Sequence, residues 1–402
     1  MNRFFKLFLG LLVLVIFACS DYVKDVDDRI DLVEDAKLTS EAQTDFVVTG
    51  VYGRFASTVD GQLALAELLS DAFFYSNDVK GASFPSYEEI DKGEIELDNN
   101  SVDGIFNALG QLRYYADTLV DRASQIEFKD ENNKNKAFFA GYFFGGVARY
   151  FYAIYWGLSE HQGGGVINEG PFIPSDEMIE LAIDKLTESL DYADDYQKKV
   201  VNTLLARIYL VVKGDYSKAK EYADKGLMEG DAPFQSLYTS ESSNYWWGYA
   251  GPGRCQFVAS DRFKQYIDTD PAEANRIKLA PIPSNSDANK VYYRQDMYQL
   301  EGSPLTFLDW QENALMLAEI ALHNGDNNTA LEYVNKVRAS HSLSDLSSID
   351  QDVLIAERDK ELFTRGLRLL DQKRFGLWHL ASDKWEFLPI TRSERNKNKN
   401  ID

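Results

Sequence analysis

Two stretches of this chain, residues 204–227 and 315–338, repeat one another at a constant offset, and that repeat restricts the fold more than any other feature. Gly214-Asp215 falls on Gly325-Asp326, Ala219 on Ala330, Tyr222 on Tyr333 and Lys225 on Lys336. Each copy reads as a helix, a tight Gly-Asp turn and a second helix whose alanine faces its partner. A small side chain there lets two antiparallel helices approach closely, the mark of stacked helix-pair units. Because the copies lie far apart in sequence, they are expected as units embedded in a larger, mostly α body, not as one continuous solenoid.

The rest of the chain supports a mostly α reading, with one exception. Phe46, Val47, Gly50, Val51 and Phe55 recur at helical spacing, residues 64–74 read as another helical segment, and 75–85, broken by Gly81 and Pro85, as a loop. Residues 106–126 read as a long amphipathic helix and 137–156 as a second. Phe138, Tyr142, Val147, Phe151 and Ile154 surround so much of the latter that it should be central and buried. Gly157 ends it, and Gly163-Gly164-Gly165 reads as a flexible connection. The exception is 229–304, with Pro233, Pro252, Pro271, Pro281, Pro283 and Pro304, several glycines and dense aromatics without helical period. Irregular loops are expected there, with a short hairpin around 291–297, and a stretch of this kind usually carries function.

At the N-terminus, Arg3 and Lys6 precede an apolar run from Leu7 to Ala18, suited to export and too short to span a bilayer as a stable helix. Ile16-Phe17-Ala18-Cys19 then has the form of a lipobox. Residues 1–18 are therefore expected to be a lipoprotein signal peptide, with Cys19 acylated and 19–40 serving as a lipid-anchored tether. The formal charge of −22 repels phosphate backbones, so a nucleic-acid partner is excluded. With Cys19 committed to lipid, Cys255 is the remaining cysteine; no disulfide framework exists, and Cys255 reads as a packed small side chain. Stability must come from packing, to which 24 Phe, 23 Tyr and 6 Trp contribute.

Three separated blocks resemble the SusD/RagB-type nutrient-binding lipoproteins of Bacteroidetes. Gly50-Val51-Tyr52 followed by Leu65-Ala66-Glu67-Leu68-Leu69-Ser70-Asp71 is similar to the opening segment of that family, and Ala148-Arg149-Tyr150-Phe151-Tyr152 with Trp156-Gly157 to its central helix. Ile355-Ala356-Glu357-Arg358-Asp359-Lys360-Glu361-Leu362, Gly366, Arg368, Asp371 and Arg374-Phe375-Gly376 resemble its terminal helix, and Phe387-Leu388-Pro389-Ile390 with Glu394 its C-terminal motif. Arg365 stands where the family usually has Glu, and Thr391 replaces a Pro. The resemblance implies a SusD-like fold over 41–402, with tetratricopeptide-type helix-pair units around 106–228 and 310–376 and a loop-rich, ligand-facing insert at 229–304. It further implies a protein that captures an oligosaccharide at the outer membrane and delivers it to a SusC-like TonB-dependent β-barrel transporter, over which it sits as a hinged lid. RagB-like relatives imply a peptide as the alternative cargo. A helical scaffold that merely holds a partner protein is the reading outside the transport class.

No constellation for catalysis emerges. Arg358 with Glu361, Glu361 with Arg365 and Asp371 with Arg374 are spaced for ion pairs along a helix. His161, His323, His341 and His379 are scattered, so no metal or other cofactor is expected. Asp98-Asn99-Asn100 with Asp103-Gly104 reads as a polar turn and lacks the spacing of an EF-hand. The remaining signal is Tyr245-Trp246-Trp247-Gly248-Tyr249. Rings so dense either stack on the apolar faces of sugars or plug the loop onto the helical body. Tyr245, Trp246, Trp247 and Tyr249 are the ligand-binding candidates, joined by Tyr75 and Tyr292, with Tyr87 and Tyr293 behind them.

Overall fold

The computed structural model describes residues 40–401. The expected signal peptide, Cys19 and the tether up to residue 39 lie outside the described residues. The chain is mostly α, and its helices follow from burial and caps. Helix α1, Thr44–Leu69, is continuous where 64–74 were expected as a separate segment. Its second half, Val59 to Leu69, is buried on every side, and packing around the whole circumference carries it past Gly61. Strand β1, Phe73–Tyr75, and a short helix α2, Ser86–Asp91, follow. Helix α3, Asn100–Ala123, opens ahead of residue 106 because the Asn99 side chain accepts from the Ser101 and Val102 amides. Helix α4, Glu131–Tyr155, is the central one, buried from Ala137 to Tyr155 except at Tyr142. Glycines bring its neighbours close. A Cβ on Gly141 would stand 2.5 Å from Val120 of α3, and one on Gly146 2.7 Å from Leu186 of α5, Ser175–Ser189.

After α4 come β2 (Trp156–Ser159), β3 (Gln162–Val166) and β4 (Phe172–Pro174), which with β10 (Leu388–Pro389) form a sheet in the order β10-β2-β3-β4. The triple glycine is therefore strand, not flexible connection. Gly164 has φ +142°, and its Cβ would sit 2.2 Å from the Ile173 carbonyl; one on Gly163 would strike the Phe387 ring at 2.5 Å. Close backbone approach explains these glycines.

The first repeat comprises α6, Asp195–Arg207, extended by a π-helical turn, Ile208–Val212, and α7, Tyr216–Ala223. The insert then forms β5 (Phe234–Ser236), helix α8 (Tyr245–Ala250), β6 (Phe257–Ala259), α9 (Asp261–Thr269) and the hairpin β7–β8 (Leu279–Pro283 with Val291–Gln295), ending in β9 (Leu305–Leu308). It is more regular than its composition suggests: β6 pairs with β1 and β5 with β9. The second repeat is α10, Trp310–His323, and α11, Asn327–Ser340. Gly214 and Gly325 adopt φ +64° and +77°, and Asp215 and Asp326 cap the second helices by accepting from the Lys218 and Thr329 amides. Ala219 and Ala330 are fully buried between the helices. The two pairs, far apart in sequence, are neighbours in space. Asn313 of α10 donates to the Ala223 and Leu227 carbonyls at 2.9 Å, and Arg207 forks onto Glu312 at 2.5 and 2.6 Å. The insert loops out between stacked pairs.

Helices α12 (Gln351–Glu361), α13 (Arg368–Arg374) and α14 (Arg392–Lys397) complete the chain. Of the expected helical ion pairs, Asp371–Arg374 forms at 2.8 Å. Arg358 instead grips Asp371, Glu361 meets Arg276 and His341, and Arg365 turns to Asp309. The charges tie elements together because their side chains point into the body, where a distant partner replaces water. The same logic joins the two motifs most distant in sequence. Glu67 accepts from the Gly366 amide at 2.6 Å, and Arg368 forks onto Asp71 at 2.6 and 2.8 Å. Gly366 has φ +74°, and a Cβ there would meet Leu63 at 2.7 Å.

Candidate functional site

The aromatic run 245–249 is sorted by helix α8. The Asn244 side chain caps it, accepting from the Trp246 amide at 2.8 Å, and the buried Asp60 carboxylate of α1 accepts from the Tyr245 amide at 2.7 Å. One turn of helix places Tyr245 and Tyr249 on the same face, with ring centres 4.4 Å apart. It sends Trp246 inward, where it is fully buried against Phe73, Phe257 and Tyr298. Trp246 is thus core and not contact surface. Six residues are too few for a periodic pattern to show in sequence.

Tyr245 and Tyr249 line a cleft of about 670 Å³ between α8, α2 and the start of α3, within the range of small-ligand sites. Tyr87 of α2 is buried below them, its hydroxyl 2.7 Å from that of Tyr245 and its ring centre 6.0 Å from Tyr249. Phe84 continues the arc, 6.3 Å from Tyr87 and nearly parallel to it. The Phe84 loop is held by the fully buried Gln256, which accepts from the Ser83 and Phe84 amides and donates to the Gly81 carbonyl. The Arg254 guanidinium covers the back of the Phe84 ring at 4.3 Å.

The opposite wall is polar. Exposed Glu96, Asp98 and Asn100 stand at its rim, with Ser86 and Ser101 joined hydroxyl to hydroxyl at 2.8 Å. Asn99 is spent on structure, donating to the Ser86 carbonyl and to Glu89 while it caps α3. Burial and the neighbouring tyrosines push the Tyr245 phenol well above its ordinary range, and burial raises Tyr87 likewise. Both hydroxyls therefore stay protonated, and one of them donates to the other. The acidic rim disfavours anions and suits a ligand rich in hydroxyl donors. The arrangement can stack rings on an apolar face and hydrogen-bond its edge.

The other candidates fall elsewhere. Tyr292 is buried, and its hydroxyl donates to Asp78 at 2.9 Å, so it pins the β7–β8 hairpin to the loop after β1. Asp78, which also accepts from Ser284 and Ser286, is held well below the usual carboxylate range by these hydrogen bonds. Trp247 is partly buried against the turn at Gly253 and does not line the cleft. Tyr75 lies at the end of β1, outside the cleft, its amide donating to Asp91 at 3.1 Å. Phe84, Glu96, Asn100 and Ser101 were missed. The signal for Phe84 was its place before Pro85 in a loop opposite the aromatic run; nothing local marked the others. Burial pushes the Cys255 thiol up to about 12, which keeps it a packed, unreactive side chain. Among the described residues no group of three or more His, Cys, Asp or Glu side chains is placed to hold a metal ion.

By sequence, no family model and no curated protein matches this chain. By structure it is similar to a SusD superfamily protein from Bacteroides thetaiotaomicron VPI-5482, at 16% identity and TM-score 0.73, covering 90% of this chain and 99% of that one. A SusD-like carbohydrate binding protein from Bacteroides vulgatus ATCC 8482 is similar at 15% identity and TM-score 0.68, over 90% and 97%. Surface glycan-binding protein A from Bacteroides uniformis is similar at 14% identity and TM-score 0.67, over 90% and 99%. The chain has the SusD-like fold.

Proposed function

We propose that this SusD-like chain is an outer-membrane lipoprotein that binds an oligosaccharide in the cleft between α2, α3 and α8. It then delivers that oligosaccharide to a TonB-dependent β-barrel transporter. The observation that carries the reading is the arc of Phe84, Tyr87, Tyr245 and Tyr249 facing a hydroxyl- and carboxylate-bearing wall across a cleft of about 670 Å³. Sugar rings have apolar C–H faces and polar edges, and this site offers both surfaces at once. The names of the structural neighbours, which include carbohydrate- and glycan-binding proteins, support the same reading. Recognition requires no bond to be made or broken. The rings are pre-positioned by Asp60, Gln256 and Arg254, so little ordering cost falls on binding. Acylation of Cys19 would keep the body at the membrane while the ligand is handed over.

The test is calorimetric titration of the full chain, held in a sugar-free detergent, with a panel of neutral oligosaccharides and of peptides. The expected result is saturable glycan binding that Phe84→Ala and Tyr249→Ala each weaken about tenfold, some 1.4 kcal/mol. Binding of peptides in place of every glycan would overturn the sugar assignment and leave the peptide-carrying alternative. Co-purification of the β-barrel transporter, lost when Cys19→Ala prevents acylation, tests the delivery step.

A further inference from the structure

A second cleft, of about 330 Å³, lies on the other flank of α3. Ser101, Gly104 and Ile105 face the first cleft, whereas Phe106, Gly110 and Arg113 line the second; at 3.6 residues per turn these sets stand on opposite sides of the helix. Its floor holds one buried polar group without an adequate partner and, beside it, a hydroxyl that faces the cleft. Tyr152 of α4 is 2% exposed, and its hydroxyl makes no hydrogen bond among the described residues. Arg113 is 8% exposed and its Nε has no partner among the described residues. Its one ion pair among the described residues, 3.4 Å to Asp117, is with a carboxylate that Arg149 already grips at 2.9 and 3.0 Å. Buried donors are normally satisfied, and leaving them bare is costly. The bare Arg113 Nε beside the open Tyr152 hydroxyl marks a place where a ligand completes the hydrogen bonding.

The walls say what kind of ligand. A Cβ on Gly110 would stand 3.6 Å from the Tyr152 hydroxyl, so the missing side chain keeps that hydroxyl open to the cleft. Tyr114 stands at the mouth, 55% exposed, its ring perpendicular to that of Tyr115 at 6.1 Å. Asn168 is held at φ +54°, a conformation that recurs where structure serves a site. Arg113 and Lys397 are matched by Glu169 and Glu394, so neither an anion nor a cation is favoured. A flat ring beside balanced donors and acceptors fits a neutral sugar. We propose that this cleft is a second saccharide site, taking one or two neutral sugar units independently of the first. The inference rests on the glycan-binding reading above and extends it to a different flank of the same helix.

The test is titration of the full chain in sugar-free detergent with neutral di- and trisaccharides, too short to cross α3. Two saccharides per chain are expected. Tyr152→Phe, which removes only the unpartnered hydroxyl, should weaken one of the two at least tenfold. Gly110→Leu, which fills the cleft from a half-buried position on α3, should reduce the count to one. Phe84→Ala should weaken the other site about tenfold and leave this one unchanged. A wild-type count of one, weakened by Phe84→Ala and untouched by Gly110→Leu, overturns the second site alone. No saccharide binding at all overturns this proposal together with the reading beneath it.

Discussion

Trp246 and Tyr249 lie within one helical turn, yet the fold gives them opposite roles. Trp246→Ala should cost about 3–5 kcal/mol of stability, because it empties a fully enclosed site; urea unfolding would show it. Tyr249→Ala should change the unfolding midpoint far less and act on glycan affinity. Two carboxyls of α1 make a separate prediction. Burial raises Glu67 from 4.5 to about 8, and one of its oxygens has no partner, as suits a protonated acid. Burial likewise raises Asp60 from 3.8 to about 7. Below its unfolded value each acid is protonated in both states and has no effect. Between the unfolded and folded values the unfolded chain alone is ionised, so stability falls as pH rises and levels off above about 8. Glu67→Gln keeps the acceptor for Gly366 and should flatten that decline; urea midpoints from pH 4.5 to 9 would reveal it.

At the scale of elements, the helices were legible and the insert was not. The Gly-Asp turns announced both repeats because each combines a residue free to take positive φ with a cap that follows it. Helix α8 has no such length of pattern: it is fixed by Asn244 and by contacts to α1, which are remote in sequence. Asn244→Ala should cost about 1 kcal/mol through the lost cap, and glycan affinity should fall with it as Tyr245 and Tyr249 lose their shared face. The triple glycine was misread for a related reason, since flexibility and close packing call for the same residue type. Gly164→Ala should destabilise by at least 1–3 kcal/mol, measured by thermal melting, because it demands both a strained backbone and displacement of the Ile173 carbonyl.

For the whole molecule, the recurring device is a charge pair joining elements that sequence holds apart. Helical spacing pointed to pairs within one helix; it held for Asp371 with Arg374 and erred for the other two because it cannot register which face the body covers. Arg207 and Glu312, each about 2% exposed, rivet one helix pair to the next. Arg207→Met should cost about 3–5 kcal/mol by stranding a buried carboxylate, and Arg207→Met with Glu312→Leu should recover most of that loss. A double-mutant cycle in urea checks both values.

The clasp of Glu67 and Asp71 on Gly366 and Arg368 bears on the order of assembly. A ribosome releases α1 long before the residues that complete it, so the early segment must wait, its acids unmatched, until nearly the last stretch emerges. Closing so long a loop is slow. Nascent chains halted short of residue 366 should therefore remain open to proteases at α1, however much of the intervening stack has formed.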